Sequence, residues 1–163
     1  MNMADHSRSV AAFDRARLLI PGGVTGLEAD SIGALWAIDG ARRAVRIDPS
    51  RARATVLSLP VAPRPSVNCI LALSGGFVAI GSADGMGIAD SSGVRAWHRA
   101  DPADPRSLGG NSVSWIAPDR SGGLWIGTLG GGVSRFDPRG VALIVRKKQA
   151  PGFTHGGISW CRR

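Results

Sequence analysis

The chain has 163 residues, 44% of them hydrophobic, and a formal charge of +8, which is enough for one ordinary domain with a core. Its 23 glycines and 10 prolines, with no tyrosine, speak for many turns and short elements, and so for an all-β chain rather than long helices. The arginines behind the charge are scattered in ones and twos, with no basic stripe among aromatics and no helix-turn-helix, zinc-finger or RNA-binding motif; this argues against nucleic acid and leaves an anionic ligand compatible.

Residues 1–23 contain no continuous apolar stretch of signal-peptide length, being interrupted by Asp and Arg. No segment anywhere approaches the ~20 apolar residues of a membrane-spanning helix. As written, the sequence therefore reads as having neither export signal nor membrane segment, and as cytoplasmic. Within this stretch VAAFDRARLLIP, 10–21, reads as the outer two strands of a partial unit, with Phe13-Asp14 echoing Phe136-Asp137.

From Val24 onward the sequence repeats. VTGLEADSIGALWAID (24–39) aligns without a gap on VSWIAPDRSGGLWIGT (113–128), pairing Val24 with Val113, Asp30 with Asp119, Gly33 with Gly122 and Leu35-Trp36 with Leu124-Trp125. VNCILALSGGFVAIGS (67–82) fits the same frame through Val67, Ile70 and Ile80-Gly81-Ser82, but lacks the aspartate and the tryptophan. The starts lie 43 and 46 residues apart, and a further start, ISWCRR from Ile158, follows 45 residues after Val113. The units are thus expected at 24–66, 67–112 and 113–157, with partial ones at 1–23 and 158–163.

In the third unit Val113 to Pro118, Leu124 to Thr128, Val133 to Phe136 and Val141 to Arg146 read as strands, because short apolar runs are bounded by Gly, Asp and Pro. The cluster Gly130 to Gly132 falls between two of them. A phosphate-cradling loop would need G-x-x-x-x-G-K-[ST] followed by a helix; here no lysine follows and Val133 to Phe136 is a strand, so the glycines are read as a turn. Four strands in a period of 40–50 residues are the signature of a β-propeller blade. The expected fold is an incomplete β-propeller of about three four-stranded antiparallel blades, with partial blades at both ends.

Asp30 and Asp119 are read as acceptors for the amides of their own turns rather than as catalytic acids. Trp36 and Trp125 recur at one blade position and are read as packing between neighbouring blades. Trp115 and Trp160 form a second pair on first strands, which line the central channel, so a ligand-facing role is open for them. Cys69 sits in an apolar run and is read as a small buried hydrophobe, although a disulfide with Cys161 stays open. His6, His98 and His155 lack the short spacings of zinc sites, and no catalytic group, metal site or cofactor is read from the sequence.

The segment DPADPRSLGGNSVSWIAPDRSGGLWIGTLGGGVSRFDP, 101–138, closely resembles the two-component regulator propeller repeat. The residues that carry the likeness are Ser107-Leu108, Asn111, Val113, Asp119, Gly122, Leu124-Trp125-Ile126-Gly127-Thr128, Gly130 to Gly132 and Arg135-Phe136-Asp137. The match is partial over Val24 to Asp48 and weaker over Val67 to Asp90, where Ala79 replaces the tryptophan. This resemblance implies a sensor: propellers of bacterial signalling proteins, typically extracytoplasmic, joined through a membrane helix to a histidine kinase or diguanylate cyclase and binding small ligands, often carbohydrates, near the central channel. It implies a periplasmic place if the chain is part of such a sensor.

Closing a propeller takes at least four blades, so the sequence reads as a fragment of a longer sensor, completed by missing blades or by another chain. On the face that carries the loop into each first strand and the loop between the second and third strands, Asp101 to Ser112 and Thr128 to Gly132 are nominated for ligand binding. Ser107, Asn111, Trp115 and Thr128 are the candidates, while Asp30, Gly33, Trp36, Asp119, Gly122, Trp125 and Gly127 are assigned to the structural repeat. Two other readings compete. EADSIGALWAIDGARRAVRIDP, 28–49, is similar to blades of streptogramin lyases, but Glu28 is the sole glutamate and no clustered histidines accompany it. A scaffold binding only protein partners is the other.

Overall fold

The structure, a computed structural model, describes residues 20–137 other than 21, 49 and 52. The strands expected before residue 20 and at Val141 to Arg146, the partial unit from Ile158, and with it Trp160 and Cys161, lie outside the described residues.

The described residues form strands and turns with a single 3-10 turn at Ser74–Gly76. Strands β1 (Val24–Ala29), β2 (Leu35–Asp39), β3 (Ala44–Asp48) and β4 (Arg53–Val56) make one antiparallel meander. β5 (Val67–Ala72), β6 (Val78–Ser82), β7 (Gly85–Asp90) and β8 (Gly93–His98) make a second, and β9 (Val113–Pro118), β10 (Leu124–Thr128) and β11 (Gly132–Phe136) a third. Consecutive pairing of this kind needs only tight turns, which the Gly- and Asp-rich connections supply. The first strands are neighbours, β5 packing against both β1 and β9. The described residues are all-β apart from that one 3-10 turn and have the blade arrangement of an incomplete propeller.

Side chains alternate across each strand, so a sheet between two others must be apolar on both faces. β6 meets that demand: Val78 and Ile80 pack toward the first sheet, against Trp36, Ile38, Ala44 and Leu57. Ala79, between them, packs toward the third sheet with Met86, Val113, Ile116, Leu124 and Ile126. All five residues of β6 are buried. The far face of the first sheet is closed by Ile20 over Ala37, Val45 and Ile47.

The turn between β1 and β2 is built by Asp30, whose Oδ1 accepts the amides of Ile32 and Ala34 at 3.1 and 2.9 Å. Asp119 does the same for the turn between β9 and β10, accepting the amides of Ser121 at 2.8 Å and Gly123 at 2.6 Å. Gly122 takes φ +85° there, a left-handed conformation that side-chain-bearing residues rarely adopt.

Candidate ligand face

The three first strands share an irregularity. Val24 and Gly26 oppose consecutive residues of β2, as Val67 and Cys69 do of β6 and Val113 and Trp115 of β10, so Thr25, Asn68 and Ser114 are bulged. A bulge re-aims the extra side chain away from its sheet face, and all three bulged residues are polar. Thr25 and Ser114 donate their hydroxyls to the equivalent carbonyls of Ile38 and Gly127, at 3.4 and 3.2 Å. Asn68 instead ties the blades together: its Nδ2 donates to the Val113 carbonyl at 2.8 Å and its Oδ1 accepts from Arg42 Nη2 at 2.9 Å.

Around these bulges the loops at one end of the sheets are held backbone to backbone. The amide of Val67 donates to the Arg42 carbonyl at 2.8 Å, that of Ala83 to Ser66 at 2.9 Å, that of Gly85 to Asn111 at 2.7 Å and that of Leu129 to Ser112 at 2.8 Å. Gly109 and Gly131 approach so closely that a methyl group on either would collide with the other's backbone. The structure thus brings the loop 101–112 and the turn 128–132 together at the mouth of β9.

The nominated side chains differ in what they leave available. Ser107 Oγ accepts the Asp101 amide and donates to the Asp101 carbonyl, both at 2.8 Å. Asn111 Oδ1 accepts the Ala100 amide at 2.7 Å, and Thr128, buried, donates to the Gly132 carbonyl at 3.2 Å. Their polar groups shape the loops. Trp115 is 50% exposed on β9, beside the Ser114 bulge; paired with Gly127, it stands at the first-strand edge of the same sheet face as Trp125 and Val133. The bulged Thr25, Asn68 and Ser114 were not singled out by sequence; a polar residue following Val in each unit was the available signal.

The residues assigned to the repeat frame lie on the central strands and at the opposite hairpins. Trp36 is buried between the first and second sheets and donates its indole N–H to Asp30 Oδ2 at 3.0 Å. Trp125, its counterpart, remains 37% exposed. Asp119 Oδ2 accepts from Arg135 Nε at 2.7 Å and Nη2 at 2.6 Å. Partial burial works to raise the Asp119 pKa, but hydrogen bonds from Ser121, from Arg135 and from the Gly123 and Ser121 amides outweigh it and hold the carboxyl at about 2. Gly33 shares the left-handed turn conformation, and a methyl group on Gly127 would meet Trp115 Cβ and Ser114 Oγ at ordinary contact distance. Among the described residues no group of three or more His, Cys, Asp or Glu is placed to hold a metal ion, and no helix is long and apolar enough to cross a membrane.

Residues 107–130, which include the Asp119 turn and part of each loop gathered at β9, match the family model for the two component regulator propeller. Over those residues the chain is similar to one two-component regulator propeller repeat. Among solved structures the propeller is similar to the extracellular domain of the hybrid two component system BT3049 from B. thetaiotaomicron, with 27% identity and a TM-score of 0.61 over 78% of this chain and 17% of that one. The extracellular domain of BT4673 from the same organism shares 14% identity at a TM-score of 0.60, over 76% of this chain and 18% of that one. A catalytically inactive virginiamycin B lyase from Staphylococcus aureus, solved with quinupristin, shares 18% identity at a TM-score of 0.59, over 78% of this chain and 42% of that one. The last two likenesses concern the fold alone. The chain spans less than a fifth of the length of the two extracellular-domain chains it matches. No curated protein matches it.

Proposed function

We propose that this chain is part of a ligand-binding propeller in a bacterial sensor of the two-component or cyclic-dinucleotide type, with no catalysis of its own, and that further blades or another chain complete its ring. The family repeat and the similarity to the extracellular domain of a hybrid two component system support the sensory role. The observation that carries the binding role is the conjunction of bulged polar residues on adjacent first strands with an exposed Trp115 at their edge. Such a surface pairs hydrogen-bonding groups with one flat apolar ring, the combination that recognises a sugar by its hydroxyls and its C–H face. The proposed ligand is a small molecule of carbohydrate type, with Trp115 as platform, the exposed hydroxyls of Thr25 and Ser114 as polar contacts, Asn68 holding the blades together beneath it, and Ser107, Asn111 and Thr128 holding the loops around it.

Titration of the 163-residue chain with neutral mono- and oligosaccharides, followed by thermal midpoint and tryptophan fluorescence, tests this. A ligand present at 100 times its Kd stabilises by about 2.7 kcal/mol, a readily measured rise in midpoint. Trp115→Ala abolishes the response and Trp125→Ala, on a different strand, keeps it. If no sugar shifts either signal while a protein partner is retained in pull-down, the chain is a scaffold and the ligand-binding reading is overturned.

A further inference from the structure

A second site lies away from the candidate ligand face. A cleft of about 430 Å³ opens between β3 and β4 of the first sheet and the turn joining β7 to β8 of the second, and Arg46, Thr55, Ser58, Ser91 and Ser92 are among the residues that line it. Its volume falls in the range of small-molecule sites. None of its lining residues belongs to the loops or bulges described above.

Arg46 is the unusual member. It stands opposite Trp36 in the β2–β3 ladder, as Arg135 stands opposite Trp125 in the β10–β11 ladder. Arg135 is neutralised by Asp119 at 2.6 Å and also donates to Ser121 at 2.7 Å. In the first blade both partners are lost to the arginine. Asp30 Oδ2 is taken by the Trp36 indole at 3.0 Å, and Ile32 stands where the third blade has Ser121. Arg46 therefore rests over the Trp36 ring, its guanidinium carbon 5.8 Å from the centroid. Its buried Nε has no hydrogen-bond partner, and it makes no ion pair among the described residues.

The one carboxylate in the cleft does not fill that role. Asp90 is bound by Arg95 Nε at 2.7 Å and by the Ser92 amide at 2.7 Å. What remains along the space is Arg46, whose guanidinium no carboxylate among the described residues neutralises, together with the hydroxyl-bearing residues Thr55, Ser58, Ser91 and Ser92. A guanidinium with no carboxylate beside it keeps its full charge for a ligand, and its planar fork matches an oxyanion. The chain's formal charge of +8 favours the approach of anions.

We propose that this cleft binds a small oxyanionic molecule, its phosphate or carboxylate group held by Arg46 and by the hydroxyls of Thr55, Ser58, Ser91 and Ser92. Aromatic contact with Trp36 keeps the guanidinium in place from behind.

The test uses the 163-residue chain at constant ionic strength, titrated with inorganic phosphate and, separately, with glucuronate, against a sodium chloride control. Thermal midpoint and the ¹⁵N-detected Arg46 Nε–H signal are followed. Saturable shifts with phosphate alone assign the site to phosphate-bearing molecules, and with glucuronate alone to carboxylates; either supports the proposal. Arg46→Gln should weaken binding by roughly tenfold or more, as loss of a charge-assisted hydrogen bond does. Should that variant not fold, Arg46→Lys, which keeps the charge and loses the fork, shows an intermediate loss. Trp115→Ala leaves anion binding unchanged, which separates this site from the carbohydrate face. An unaltered response in the Arg46 variants, or none beyond the chloride control, overturns the proposal.

Discussion

Asp119 and Asp30 occupy one position in the repeat yet spend their second oxygen differently, on the Arg135 guanidinium in one blade and on the Trp36 indole in the other. The consequence for Asp119 is visible in acid. Its folded-state pKa of about 2 lies below its ordinary 3.8, so the stability it contributes is fully present above about pH 3.8 and is lost as pH falls toward 2. Melting temperatures recorded between pH 5 and 2 should drop more for the parent chain than for Asp119→Asn, which has no carboxyl to protonate. His98 acts in the same direction at higher pH. It tilts onto Phe136 with ring centroids 4.7 Å apart, its Nε2 is buried without a hydrogen-bond partner, and burial holds its pKa below 6.5. The unfolded chain takes up that proton first, so stability is complete above pH 6.5 and declines below it. His98→Phe should flatten the change in melting temperature between pH 7.5 and 5.5.

At the level of elements, the two tryptophans of β2 and β10 show what a covering sheet contributes. Trp36 is 1% exposed, closed over by Val67, Val78 and Ile80 of the second sheet. Trp36→Ala should cost about 3–5 kcal/mol in urea unfolding, the usual loss for a fully packed tryptophan. Trp125→Ala should cost clearly less, because the ring is 37% exposed. The bulge in β5 offers a second test. Asn68→Ala removes the donor to the Val113 carbonyl and the acceptor for Arg42. About 1–3 kcal/mol is expected for leaving a part-buried partner unsatisfied, measured as a loss of stability in urea unfolding. Strand positions and turns were legible in the sequence because period-two apolar runs and Asp-Gly punctuation are local signals. The bulges were not, since they depend on which residue of the partner strand is skipped.

For the whole molecule, the exposed face of the third sheet is the leading feature. Trp125 is 37% and Val133 42% exposed, whereas their counterparts Trp36 and Ala44 are 1% and 2% exposed beneath the second sheet. Large apolar side chains exposed on one sheet face promote association. The chain is expected to self-associate in sedimentation experiments, and Trp125→Ser with Val133→Thr should shift it toward monomer; a strictly monomeric parent chain would contradict this.

The amino-acid sequence by itself determined the all-β class, the roughly 45-residue repeat and the likeness to a sensor propeller, since each rests on local periodicity and on motifs that survive in one blade. The gathering of loops 101–112 and 128–132, read from propeller connectivity, was also within its reach. Only the tertiary structure decided how the side chains are employed. Ser107, Asn111 and Thr128 turn out to hydrogen-bond their own loops, and Arg46 is left without a carboxylate because Trp36 claims Asp30. Such choices arise from competition among neighbours brought together across strands, and no residue's identity or spacing reveals which competitor wins.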